Sequence, residues 1–216
     1  MRSILHEDLE ALNTRLISMS TLVTEAMSAA SAALLEHDTE RASSVITDDH
    51  RINRLQYSID DRIIDLMTRY QPIAGDLRFI LAAVRIATDL ERMGDMAVHV
   101  AKIAQRDAPG CLVPSTLPLF VSMSQIAVRM AEKTTEILES RDVLDAAQFD
   151  LDDDEMDADF DRLMRVLGEG WPHSAEAAID VAMLGRSFER YTDHTVRIAH
   201  QIVYLVTGEV QLGRPS

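Results

Sequence analysis

The chain has 216 residues, and 36 acids against 21 Lys and Arg leave a formal charge of −15. That balance excludes a nucleic-acid binder built on basic patches, and 47% apolar with 26% charged residues excludes global disorder. The single cysteine, Cys111, excludes an intrachain disulfide or a thiolate zinc cluster.

Acids arrive at Glu7 and Asp8, before any apolar signal region could form. The longest uncharged run, 108–128, carries Pro109, Pro114 and Pro118 and reads as a linker entering a helix, not as a membrane span. A cytoplasmic location is expected. Glycine and proline cluster at Gln71–Gly75, at 109–118, at Gly168–Pro172 and after Gly208. Between these breaks the apolar residues keep helical periodicity and no strand alternation. The pattern predicts six helices, at 5–36, 39–70, 76–106, 118–140, 143–168 and 174–207. Asp38 or Thr39 is the expected cap of the second helix and Asp76 of the third. His37–Asp38 resembles a phosphohydrolase dipeptide, but its short interhelical turn favours capping.

The six helices form two sets of three, and the sets resemble each other. Residues 91–102 read ERMGDMAVHVAK and residues 189–200 read ERYTDHTVRIAH, with five identities in twelve at an offset of 98. Asp49–Asn53 aligns with Asp153–Asp157, and Pro72 and Pro172 each precede a last helix. The fold expected is all-α, with two tandem three-helix units at 1–107 and 118–208, a linker at 108–117 and a tail at 209–216.

Acids stand in costly positions. On the third helix Glu91 and Asp95 fall on a stripe with Leu77, Ile80, Leu81, Val84 and Val98. Their twins Glu189 and Asp193 share a face with Gly185, Val196 and Val203. Each pair is spaced one helical turn, where like charges repel by a few tenths of a kcal/mol when exposed and by more when buried. Such a pair can share a cation. Asp49 with Asn53, and Asp153 with Asp157, repeat the spacing on the adjacent helix. The donors are all oxygens, which suits Mg²⁺, Ca²⁺, Mn²⁺ or iron better than structural zinc. The competing reading is inter-helix salt bridging through Arg92 and Arg190, with Arg197 one turn after Asp193 able to neutralise it. No Glu-x-x-His, His-Glu-x-x-His, Cys-x-x-Cys, P-loop or Gly-x-Gly-x-x-Gly occurs. The acids of 150–161 read mostly as a solvated face, the methionines as core filler and Trp171 as a packing plug.

The string Gln71-Pro72-Ile73-Ala74-Gly75-Asp76-Leu77-Arg78, followed by Asp89-Leu90-Glu91-Arg92-Met93-Gly94-Asp95, resembles the PhoU family of phosphate-signalling regulators. The repeated Glu-Arg-x-x-Asp near the C-terminus does so too. The resemblance runs from about residue 4 to 208. It implies two tandem three-helix bundles with pseudo-two-fold symmetry. It also implies metal ions or clusters at Glu91, Asp95, Glu189 and Asp193, with Asp49, Asn53, Asp153 and Asp157 on the partner helices. Mg, Mn or Fe is the expected metal and Zn less so. The implied role is non-enzymatic. It is that of a cytosolic adaptor between the ATPase subunit of the phosphate ABC transporter and a sensor histidine kinase. Such an adaptor holds the phosphate-starvation response off and restrains phosphate uptake. A homodimer is expected, membrane contact only through partners, and no nucleic acid. Two departures bear on metal occupancy. Thr192 stands where the first motif has Gly94, and His99 and Arg197 replace an Asn one turn after the motif Asp. A metal-dependent phosphohydrolase on a helical bundle and a purely structural scaffold are the alternatives.

Overall fold

The computed structural model describes residues 2–106 and 112–210, and the expected linker and tail lie partly outside them, as does Cys111. Every regular element among the described residues is helical. In chain order they are α1 (Arg2–Glu36), α2 (Thr39–Asp48), α3 (His50–Tyr70), α4 (Ala74–Gln105), α5 (Leu117–Ser140), α6 (Val143–Ala147), α7 (Phe149–Gly168) and α8 (Ala175–Thr207). The six expected helices are there, with two of them interrupted.

The second expected helix breaks at Asp49. A His50 ring nitrogen takes the Thr47 carbonyl at 2.7 Å, the acceptor a continuous helix would offer to the Arg51 amide. Asp49 itself keeps helical angles, so the chain hardly turns. The fifth expected helix breaks at Gln148, whose amide reaches Asp145 at 3.2 Å in a tighter turn. Asp38, not Thr39, caps α2 through the Arg41 amide at 2.9 Å. Asp76 does not cap α4, whose N-cap position is held by Ile73. The acid sits in the first turn, where its charge still favours the helix dipole. Pro118 lies in the first turn of α5 as expected. Helix ends are closed by left-handed residues, and with glycine scarce these are His37, Gln71 and Arg141, joined by Gly208. Arg141 recovers part of that strain by laying its guanidinium over the Phe79 ring and pairing with Glu10 at 3.1 Å.

α1, α2–α3 and α4 make the first three-helix unit; α5, α6–α7 and α8 make the second. The units are not separate globules. α4 packs on α8, and α1 packs on α5, so α1, α4, α8 and α5 close a central four-helix bundle. α2–α3 lean on its α1–α4 side and α6–α7 on its α5–α8 side. Arg85 to Gln201, Asp89 to His194 and Arg106 to Asp180 run in opposite residue order, so α4 and α8 are antiparallel. α1 and α5 are too, joined by Asn13 to the Leu138 carbonyl (3.2 Å) and Ser20 to Thr135 (2.8 Å). One continuous apolar core fills the interior, with Phe120, Phe149, Phe188 and Tyr191 fully buried. The Tyr191 hydroxyl donates to the Val23 carbonyl at 3.3 Å.

Two glycines set the approach of the outer helices. A side chain at Gly94 would meet Ile52 at 3.1 Å, and one at Gly185 would overlap Leu163 and press on Phe160 at 3.2 Å. α3 and α7 therefore sit close against α4 and α8. Gly185→Val should push α7 off α8 and cost about 1–3 kcal/mol of overpacking, despite a better helix propensity. The urea midpoint of the variant should fall, and an unchanged midpoint would show that α7 can shift freely.

Candidate acidic sites

Each acidic cluster forms where an outer helix meets α4 or α8. In the first, Asp49 sits at the α2–α3 break and Asn53 one turn on, with the Asn53 amide donating to Asp49 at 2.8 Å. Gly94 admits this turn to α4; a side chain there would lie 3.6 Å from an Asp49 oxygen. Glu91 and Asp95 close the cluster from α4. Arg92 lies between them, 3.6 Å from Glu91 and 3.1 Å from Asp95. Burial raises the Glu91 pKa, and the Asp95 and Asp49 carboxylates add to it, against Arg92 and His194. Burial also raises Asp49, opposed by the Asn53 hydrogen bond and by Lys102 and His50, and reinforced by Asp95. A groove of about 160 Å³ opens beside Asp49, between Arg41, Asp48 and Val98.

In the second cluster Asp153 and Asp157 come from α7, and Glu189 and Asp193 from α8. Glu189 is only 9% exposed. Burial pushes it up to about 7, with Asp193, Asp157 and Asp153 adding repulsion that Arg186 partly relieves. Burial pushes Asp153 up to about 6, helped by Asp157, Asp193 and Asp154 and opposed by the Thr192 hydroxyl. Asp157 is raised by burial, then by Asp193, Asp154 and Asp161, against Arg186. Arg186 binds one Glu189 oxygen. The other Glu189 oxygen and one Asp153 oxygen are buried with no hydrogen-bond partner. The Thr192 hydroxyl carries one proton and donates it to the Glu189 carbonyl at 2.9 Å, so it answers Asp153 poorly.

The structure brings together Asp49, Asn53, Glu91 and Asp95, and separately Asp153, Asp157, Glu189 and Asp193. Two details differ from the expectation. The stripe that carries Glu91 and Asp95 is only partly buried: Ile80 is buried and Leu77 and Val98 half-buried, but Leu81 is 43% and Val84 38% exposed. α4 buries the adjoining face of Phe79, Ala83, Ile86, Leu90, Met93 and Ala97, so the acids lie on its margin. The second cluster is also the more buried, and no ion pair joins Arg197 to Asp193 among the described residues. Arg186 neutralises it in part instead, from one turn before Glu189. That residue carried a legible signal, an Arg three positions ahead of a Glu.

The donor chemistry suits a hard cation. Oxygens are the only donors, charges repel at close range, and two buried carboxylate oxygens lack partners. The side chains surround a space without converging: among the described residues no three His, Cys, Asp or Glu are gathered at ligating geometry. Other singled-out residues have structural work. Asp38 caps, and Trp171 donates to the Ser174 carbonyl at 3.2 Å while packing on His173. In the 150–161 run Asp159 is buried on Arg162 at 2.9 Å, and most other acids there are half or fully exposed.

Comparison with known proteins agrees with this architecture. The PhoU domain model matches twice, over residues 16–104 and 120–202. The chain belongs to the PhoU family. The Mycobacterium tuberculosis protein named phosphate-specific transport system accessory protein PhoU homolog 1 is 37% identical over 210 residues, covering 96% of this chain and 95% of its own. PhoU homolog 2 of the same organism is 38% identical, covering 96% and 99%. The crystal structure of PhoU from Pseudomonas aeruginosa superposes with a TM-score of 0.88 at 27% identity, over 94% of this chain and 99% of that one. The two matched segments coincide with the two three-helix units, and no helix among the described residues is long and apolar enough to cross a membrane.

The raised acids give a pH prediction for the metal-free protein. Unfolded, Glu189 and Asp153 would ionise near pH 4; folded, they hold protons to about 7 and about 6. The folded state therefore binds more protons between those values, and stability falls as pH rises from about 4 to 7. Glu189→Gln should flatten that slope and stabilise the protein at pH 8 by on the order of 2 kcal/mol. Thermal melting across pH reads this, and an unchanged slope would mean that Glu189 is solvated.

Proposed function

We propose that this PhoU-family protein is a non-enzymatic accessory regulator of phosphate-specific transport. In this reading it is a cytosolic adaptor between the phosphate ABC transporter and its sensor histidine kinase, and it holds the phosphate-starvation response off when phosphate is ample. The observation that carries the reading is near-full-length similarity to relatives named as accessory proteins of that transport system, at 37–38% identity. The fold supports it: long helices offer broad outer faces, and the chemistry is confined to carboxylates at two helix seams.

Metal binding belongs to the same proposal. Asp153, Asp157, Glu189 and Asp193 would hold a divalent or iron-type ion in the second unit; Asp49, Asn53, Glu91 and Asp95 would do so in the first. Such an ion cancels the repulsion among the carboxylates. The residues then tie α7 to α8 and α3 to α4 more firmly than hydrogen bonds do, since two buried oxygens currently bond to nothing. In the first cluster Arg92 already supplies positive charge, so the ion competes with it there.

Deleting the gene should switch phosphate-starvation transcripts on in ample phosphate, with the wild-type gene restoring repression. Normal repression in the deletion strain overturns the regulatory reading. Protein equilibrated with Mn²⁺ or Fe²⁺ and then desalted should keep metal, measured by elemental analysis. Glu189→Ala with Asp193→Ala should lower it by about half if each unit holds an equal share. Equal metal in wild type and variant would exclude the second cluster.

A further inference from the structure

α4 and α8 leave one face of their contact open to solvent. On α4, Arg78, Arg85, Arg92, His99 and Arg106 recur every seventh residue; on α8, Met183, Arg190, Arg197 and Tyr204 do the same. A seven-residue spacing keeps side chains on one helix face with a slow drift. Arg85, Arg92, His99, Arg190 and Arg197 are all exposed. The antiparallel register puts Arg190 level with the middle of α4 and Arg197 level with its Arg85–Asp89 stretch. The result is a basic ridge along the α4–α8 seam, in a chain whose net charge is −15.

Two cations of this ridge are ion-paired, Arg92 with Glu91 and Asp95 and Arg106 with Asp180, as most cations elsewhere among the described residues are. Arg62 is paired with Asp8 and Asp65, Arg129 with Glu155, and Lys133 with Asp152. Arg190 and Arg197 form no ion pair among the described residues, and Arg85 holds only the Gln201 amide, at 3.2 Å. Free guanidinium groups thus stand where carboxylates are abundant. The two ends of the ridge carry exposed apolar side chains. Leu81 and Val84 lie at one, and Ile179 (62% exposed) and Met183 (54%) at the other. Leu81 and Ile179 are twins under the 98-residue offset.

We propose that this ridge docks an acidic amphipathic helix of a partner protein. Carboxylates in the middle of that helix would meet Arg85, Arg190 and Arg197, and apolar residues towards its ends would meet Leu81, Val84, Ile179 and Met183. A helix of about 20 residues, about 30 Å long, spans the distance. The flanks decide against broader anions. Glu91 and Asp95 border one side of the ridge, and Glu189 and Asp193 the other, so a bilayer surface or a nucleic-acid duplex would press its phosphates onto carboxylates. A second copy of this chain is a poor occupant. Its most acidic helix, α7, already has Asp152 on Lys133, Glu155 on Arg129, Asp159 on Arg162 and Asp150 on His200. The docking ridge rests on the reading of the protein as an adaptor.

The test is fluorescence anisotropy with a labelled helical peptide of about 20 residues, glutamates in its middle and leucines towards its ends on one stripe. Controls are a scrambled peptide of the same composition and vesicles of phosphatidylglycerol. Wild-type protein should bind the designed peptide at least about tenfold more tightly than the scrambled one. R190E with R197E should weaken it by about tenfold or more, with a steep salt dependence lost. R15E with R54E, on α1 and α3, should change it less than about twofold. If the charge reversal fails to melt like wild type, R190Q with R197Q reads the same effect. Equal binding by the ridge variant or of the scrambled peptide overturns the proposal. So does vesicle binding that needs the two arginines, or self-association in light scattering that they abolish. Any of these leaves the regulatory reading standing if the deletion strain still derepresses; normal repression in that strain fails the regulatory reading whatever the peptide does.

Discussion

Everything chemical in this protein is positioned by α4 lying antiparallel on α8. α4 carries Glu91, Asp95 and one half of the arginine ridge, α8 carries Glu189, Asp193 and the other half, and each is buried on the flanks that face its neighbours. Small buried residues, among them Ala83, Ala87, Ala97 and Ala101 on α4 and Gly185, Ser187 and Ala199 on α8, let the neighbours approach closely. The outer helices α3 and α7 then close the margins, and carboxylates fall at those seams. Positive charge is left for the open face between them. A narrow band of cation between two bands of anion follows from the packing order of four helices.

The two clusters solve the same repulsion in different ways. In the first, Arg92 stands between Glu91 and Asp95, Asn53 bonds Asp49, and the acids keep partial access to water. In the second, Arg186 serves Glu189 from the preceding turn, Thr192 fills the place of Gly94, and burial is deeper. The departure from Gly to Thr brings a hydroxyl whose one proton goes to a backbone carbonyl. The side chain therefore occupies space beside Asp153 without fully compensating its charge.

Much of this was legible before any coordinates. Periodicity showed six helical segments, and the 98-residue offset showed the duplication, because both depend on local pattern. The grouping of Asp49 with Glu91 and Asp95, and of Asp153 with Glu189 and Asp193, followed from two adjacent helices each presenting a one-turn pair. The helix breaks at Asp49 and Gln148 were not legible. Each depends on a single local bond, one of them a His50 ring nitrogen choosing a backbone carbonyl. The helix ends at Glu36, Tyr70 and Ser140 were legible, but the left-handed caps that follow them, His37, Gln71 and Arg141, were not: such caps are usually glycine, and tertiary contacts such as Arg141 on Phe79 carried the cost instead. The margin position of Glu91 was misread because an apolar stripe alone does not say which face a neighbour covers. α4 has neighbours on several sides and leaves Leu81 and Val84 bare.

The central four-helix bundle takes two helices from each repeat. A single repeat cannot close it, and its α1 and α4 would present a wide apolar face to water. Only by pairing with an identical copy about a two-fold axis could one repeat complete the core. The present chain is such a dimer joined end to end, and joining releases the two copies from identity. Asp89 and His194 bond across the α4–α8 seam at 2.9 Å. Their counterparts on the other side of the pseudo-axis are Ser187 and Met96, which cannot form that bond. In a true homodimer every such contact would occur twice or not at all. Covalent fusion is what allows one end of the seam to carry a polar bond that the other end lacks, and so lets the molecule tell its two ends apart.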